Sequence, residues 1–137
     1  MPPKAAFVLL ALAALGLPRP ALATTVVPVP DEALVADAAL IAVVRIGASA
    51  PAEGEAIETE VAAAVEEVLK GAAGAAGAGG NLTLRLPGGL RADGEGLVVF
   101  GSPVLRPGER ALLFLVPGRA GTWDVLHLAL GAFHEVA

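Results

Sequence analysis

The side chains that could do chemistry are few and poorly spaced for it. His127 and His134 lie near Asp124 and Glu135 towards the end of the chain, and these are zinc-ligating types. Strand alternation puts His127 on a face with Val125 and Ala129 and turns Asp124 to the other, so the three or four converging ligands of a zinc site do not form. For a serine nucleophile the chain offers Ser49 and Ser102. Ser102 sits in Phe-Gly-Ser-Pro, where the proline removes the backbone N–H that a nucleophile elbow lends to its oxyanion hole; a turn role fits it better. Glu58 and Glu60 would share a strand face about 6.5–7 Å apart, and with Glu66 and Glu67 they come nearest to a glycosidase carboxylate pair. No aromatic residue neighbours them to hold a sugar ring, so a solvated face accounts for all four. No catalytic, cofactor-binding or metal-ligating residue is assigned, and no cofactor is expected.

Two further features invite a functional reading. Gly71 to Gly80 (GAAGAAGAGG) is a Gly/Ala run that lacks the Gly-Lys-Ser/Thr ending of a phosphate-cradling loop, and it reads as a flexible surface connection. Phe100, Phe114, Phe133 and Trp123 stand in or beside apolar strands, which predicts core packing. Trp123, between Thr122 and Asp124 and next to a turn, is open between a core residue and an exposed binding anchor.

The elements that must position these residues begin after a leader. Met1 to Lys4 is a short basic start, Ala5 to Leu17 is an uncharged apolar run of thirteen, and Ala21-Leu22-Ala23 is an A-x-A cleavage signal. Thirteen residues at 1.5 Å rise are too short for a hydrocarbon core of ~30 Å. The pattern predicts a signal peptide over 1–23, a β-barrel domain over 24–137, and a secreted or periplasmic location. Losing Lys4 and Arg19 leaves seven basic against fourteen acidic side chains, a net −7. That balance argues against nucleic acid, which demands a basic footprint, and against docking on anionic membranes. With no cysteine, stability must come from an ordinary core, and thiol chemistry is excluded.

Thr24 to Pro30 reads as extended, with prolines at 28 and 30. Asp31 to Ala38 predicts a short helix with Asp31 as N-cap and Leu34, Val35 and Ala38 on one side. Leu40 to Ile46 (LIAVVRI) predicts a strand buried on both faces apart from Arg45. Glu55 to Lys70 fits two patterns. Val61, Ala64, Val65, Val68 and Leu69 make a helical stripe, which pattern alone slightly favours. Ile57, Thr59, Val61, Ala63 and Val65 also alternate as a strand, but the alternation slips at Glu66-Glu67, and a bulge there is needed to return Val68 to the core. Asn81 to Leu86, Gly96 to Phe100, Arg110 to Val116, Trp123 to Leu130 and Ala132 to Val136 predict further strands. Turns separate them at Pro87-Gly88-Gly89, Arg106 to Glu109 and Pro117 to Gly121. Short strands at this spacing after one small helix point to a closed barrel or a sandwich.

ATTVVPVPDEALVADAALIAVVRI, the segment ending VEEVLKG, the LPGG turn, RPGERALLFL and LALGAF together resemble a group of small secreted bacterial proteins of uncharacterised activity. Such segments stand alone or accompany peptidases resembling matrix metalloproteases. The arrangement also looks like netrin-type domains, among them the tissue inhibitors of metalloproteinases. The resemblance implies an OB-like, five-stranded Greek-key barrel in which Ile57 to Leu69 is a long bulged strand. It also implies an extracytoplasmic protein partner such as a peptidase. Netrin-type inhibitors open on a cysteine where this chain has Thr24. The function expected is that of a non-enzymatic extracytoplasmic barrel binding a protein or other ligand. The competing expectation is an extracytoplasmic hydrolase whose acidic site forms only in three dimensions. A cleft gathering two or more of Glu58, Glu60, Asp124 and the histidines would favour the latter.

Overall fold

The computed structural model of the protein describes residues 27–71 and 80–136. The expected signal peptide, Thr24 and most of the Gly/Ala run lie outside the described residues. Among the described residues one α-helix, α1 (Asp31–Asp37), precedes the strands β1 (Leu40–Pro51), β2 (Glu58–Lys70), β3 (Asn81–Pro87), β4 (Gly89–Leu90), β5 (Gly96–Leu97), β6 (Arg110–Pro117), β7 (Trp123–Val125) and β8 (Ala132–His134).

Alternation of apolar residues dictates the architecture. Leu40, Ala42, Val44 and Ile46 on β1, Val61, Ala63 and Val65 on β2, Leu82, Leu84 and Leu86 on β3, and Ala111, Leu113 and Leu115 on β6 point to one buried interior. β1 pairs antiparallel with β2, β2 with β3, and β6 with both β7 and β1, while β3 meets β7 in parallel at Leu84 and Trp123. The circuit β1-β2-β3-β7-β6-β1 is a closed five-stranded barrel with an OB-like outline. Closure removes the sheet edges that an open five-stranded sheet would expose.

β1 and β6 are apolar on both faces because each also carries a second layer. Ile41 and Phe114 point out of the barrel and are covered by Leu34 and Ala38 from the helix segment. Phe114 meets Phe133 edge-to-face at 5.6 Å between ring centres. Lys70 at the end of β2 donates from Nζ to the Val35 and Ala36 carbonyls at 2.6 and 3.2 Å, placing a cation at the negative end of α1.

The ambiguous segment is a strand, and its slip is a bulge. In the β1–β2 ladder Glu67 faces Val43 and Val65 faces Val44, so Glu66 is the extra residue. Beyond it Val68 returns to pack on the core, whereas Leu69, a second extra residue, is exposed. The helical stripe loses because cross-strand pairing on both sides of β2 buries Val61, Ala63 and Val65, which a lone short helix could not do.

Several local expectations change. Pro30, not Asp31, is the helix N-cap; Asp31 is the first helical residue, and Val35 is exposed. The strand expected over Gly96 to Phe100 stops at Leu97, after which a turn closes with Ser102 N–H donating to the Val99 carbonyl at 3.2 Å. The strand expected over Trp123 to Leu130 stops at Val125, because His127 and Leu128 adopt left-handed φ of 52° and 56° before a 3-10 turn over Leu128–Gly131. Gly131 permits that turn: a Cβ there would stand 2.1 Å from the Leu126 carbonyl oxygen.

Candidate functional site

Three groupings of polar or exposed residues emerge. The first sits on the outer face of β2 and β3, where alternation turns Glu58, Glu60 and Arg85 away from the core. Arg85 donates to Glu60 at 2.8 Å and lies 3.6 Å from Glu58. Arg119 from the β6–β7 turn binds both Glu58 oxygens, at 2.8 and 3.0 Å. The Glu60 hydrogen bond outweighs desolvation and raises the Arg85 pKa, with Glu58, Glu60 and Asp124 adding attraction, so this guanidinium stays charged. Its side chain is 14% exposed, and its Nε is buried with no hydrogen-bond partner among the described residues. Glu58, Arg85 and Asp124 line a cavity of about 260 Å³ walled by Pro103, Val125 and Leu128. Two of the carboxylates considered for chemistry therefore share one cavity.

The second grouping lies across β1, β2 and β6. Arg45 and Arg110 stand directly opposite each other in the β1–β6 ladder, a repulsive pair. Bulging Glu66 out of register sets its carboxylate between them, at 2.9 Å from Arg45 and 2.5 Å from Arg110. Hydrogen bonds from Arg110 and then Arg45 hold the Glu66 carboxyl below the usual carboxylate range. Glu135 binds Arg110 at 3.2 Å. Glu109 accepts from the Arg106 N–H at 2.9 Å and contacts His134 Nδ1, and these two hydrogen bonds, the backbone one first, hold its pKa down. The arrangement neutralises charge on the barrel wall. It separates the residues considered for zinc: His134 is with Glu109, Glu135 with Arg110, and Asp124 by Arg85, while His127 sits on the strained turn. Among the described residues no three His, Asp or Glu side chains converge as metal ligands.

The third grouping was missed in the sequence and is the most exposed apolar surface. Phe100, expected in the core, is 90% exposed, with Val98 at 80%, Val104 at 65%, Leu90 at 63% and Leu97 at 46%. Phe133 is also 45% exposed, Phe114 is buried, and Trp123 is half-buried and packs on the core. The segment bearing Phe100 is paired with β4 at Leu97 and tied again just past Phe100. Ser102 Oγ donates to the Pro87 carbonyl at 3.0 Å, and Ala129 N–H donates to the Gly101 carbonyl at 2.8 Å. Ser102 thus serves the turn it was assigned to. β4 and β5 form a small hairpin beside this segment, anchored by Thr59 Oγ1 donating to the Gly88 carbonyl at 2.8 Å. Beneath it opens a cavity of about 360 Å³ with Ser49, Val61, Leu86 and Val99 in its lining. A signal for the exposure was present: Gly96-Leu-Val-Val-Phe-Gly101 is bracketed by glycines, followed by Pro103, and does not alternate.

No helix of the described residues is long and apolar enough to cross a membrane. No family model, curated protein or solved structure matches the chain.

Proposed function

We propose that the protein is a non-enzymatic extracytoplasmic β-barrel that binds a protein partner through the loop end carrying Phe100. The observation that carries this reading is a set of large apolar side chains left in water, Leu90 and Leu97 on the small hairpin, Val98 and Phe100 on the segment tied down after it, and Val104 just beyond. Apolar side chains grouped in this way mark interaction surfaces, and a pre-ordered segment loses less entropy on binding than a loose one. The leader over residues 1–23 supports export. The OB-like outline supports use as a binding platform, and the netrin-type resemblance suggests an extracytoplasmic peptidase as partner.

Photocrosslinking in the native compartment tests the reading, with the reactive residue placed at Val98 or, on the outer wall of β2, at Ala62. One protein captured repeatedly from Val98 and not from Ala62 is the expected result. Capture from Ala62 alone would move the binding surface to the barrel wall and end this reading.

A hydrolase is the second reading, because Glu58 and Asp124 line one cavity. Both Glu58 oxygens already accept hydrogen bonds from Arg119, which leaves that carboxylate poorly placed to exchange a proton with a substrate. Turnover of a chromogenic glycoside or peptide that Asp124→Asn abolishes would favour the enzyme.

A further inference from the structure

We infer that the partner of the Phe100 surface presents an apolar socket rimmed by lysine or arginine; this rests on the binding reading above. The charge around the surface carries the inference. Asp93 and Glu95 lie in the β4–β5 hairpin loop whose strands bear Leu90 and Leu97, and both acids are exposed. Asp93 Oδ1 accepts from the Glu95 N–H at 2.9 Å, which fixes that loop. Glu53 and Glu55, also exposed, lie in the β1–β2 connection that Arg91 ties to the hairpin. Arg91 is the basic residue of this hairpin. Its guanidinium is occupied by the Gly54 carbonyl at 2.8 Å, by the Glu55 carbonyl and by Glu95 at 3.5 Å. Four carboxylates therefore lie in the hairpin that bears Leu90 and Leu97 and in the connection tied to it, and the one arginine among them is already engaged.

That balance selects among occupants. A second copy would bring an acidic rim against an acidic rim, and like charges brought together across an interface oppose association. An anionic bilayer or a nucleic acid would be repelled in the same way. A protein face with an apolar pocket for Phe100 and cations around it satisfies both halves of the surface. Its association would be hastened by electrostatic steering and weakened by salt.

The test uses the full processed chain and three synthetic peptides with one shared apolar core and Lys, Glu or Ser flanks, with binding read by fluorescence anisotropy. The Lys-flanked peptide should bind at least about tenfold more tightly than the Glu-flanked one at low salt, and the gap should narrow as ionic strength screens it. Glu53→Gln, Glu55→Gln, Asp93→Asn and Glu95→Gln combined should erase the preference while the Ser-flanked peptide still binds. Phe100→Ser should weaken all three. Equal binding of the Lys and Glu peptides, lost in Phe100→Ser, would overturn the charge inference and leave the binding surface standing. No binding by any peptide, or firm binding to phosphatidylcholine vesicles in their place, would overturn both.

Discussion

On β6, Leu113 and Leu115 are fully buried, while fewer than twenty residues earlier Val98 and Phe100 stand almost wholly in water. The two stretches have similar composition, RALLFLV against GLVVFG, and differ in what their backbones are paired with. β6 is bonded along one side to β1 and along the other to β7 and β8, so its side chains are forced alternately into the barrel and against the outer layer. The Gly96 to Gly101 stretch has only a two-residue pairing with β4, a turn bond at Val99 and a single tie from Ala129 to the Gly101 carbonyl. Hydrophobicity alone did not decide burial here. The ladder did, and where the ladder ends the apolar residues are left for something other than the core.

The largest effect should come from the wall. Leu113→Ala opens a cavity at a fully buried position and should cost about 2–5 kcal/mol, lowering the melting temperature by at least roughly 8 °C. A loss below 1 kcal/mol would mean the barrel interior is not the close-packed region the contrast requires. Next comes the junction of the two regions. Gly89 has φ of 121°, and a Cβ there would stand 2.1 Å from Thr59 Oγ1. Gly89→Ala should displace that hydroxyl from the Gly88 carbonyl and cost about 1–3 kcal/mol, measured by denaturant titration.

The loop end is expected to behave in the opposite sense. His127 is exposed at φ 52°, a conformation costing roughly 1–2 kcal/mol that glycine avoids, less the ~0.5–1 kcal/mol that glycine loses in chain entropy. His127→Gly should therefore stabilise the protein by up to about 1.5 kcal/mol. A loss would show that the imidazole makes a contact that matters more than the strain. Phe100→Ser should leave stability within about 0.5 kcal/mol, since nothing of the core leaves with it. Were Phe100→Ser to destabilise the barrel as Leu113→Ala does, the division between the two regions would collapse.

The wall was legible in the sequence and the loop end was not, for one physical reason. Alternation is a property of a paired strand, so Asn81 to Leu86 and Arg110 to Val116 could be read directly, and even the slip at Glu66-Glu67 announced its bulge. Whether Glu55 to Lys70 formed helix or strand turned on its partners in the sheet, which no local pattern contains. Gly96 to Phe100 and Trp123 to Leu130 failed because an apolar run implies a strand only if a neighbour exists to pair with it. The left-handed His127 and Leu128 carry no glycine to mark the break. Of the candidate chemistry, Glu58 with Asp124 shared a cavity across strands distant in sequence, while Phe100 was read as core although its bracketing glycines spoke for a loop.

The smallest expected effect lies on the wall's outer surface and concerns the bulge itself. Glu66 is the extra residue of β2, and it separates Arg45 and Arg110, which would otherwise face each other across the ladder. Because those two arginines lower its pKa in the folded state, folding favours the charged carboxylate. The contribution is therefore fully present above the unfolded-state value of about 4.3 and is lost as pH falls through the lower folded value. Glu66→Gln keeps the shape and removes the charge, so the variant should melt below the parent at pH 7, and the gap should close as the pH is taken below 4. The pair is exposed, so the gap should be small and should shrink further at high salt. Thermal melts of both proteins across pH 3–7 at two ionic strengths measure it. A gap that widens in acid would have the wrong sign for a carboxylate stabilised by its arginines, and the bulge would then be explained by packing of Val68 alone.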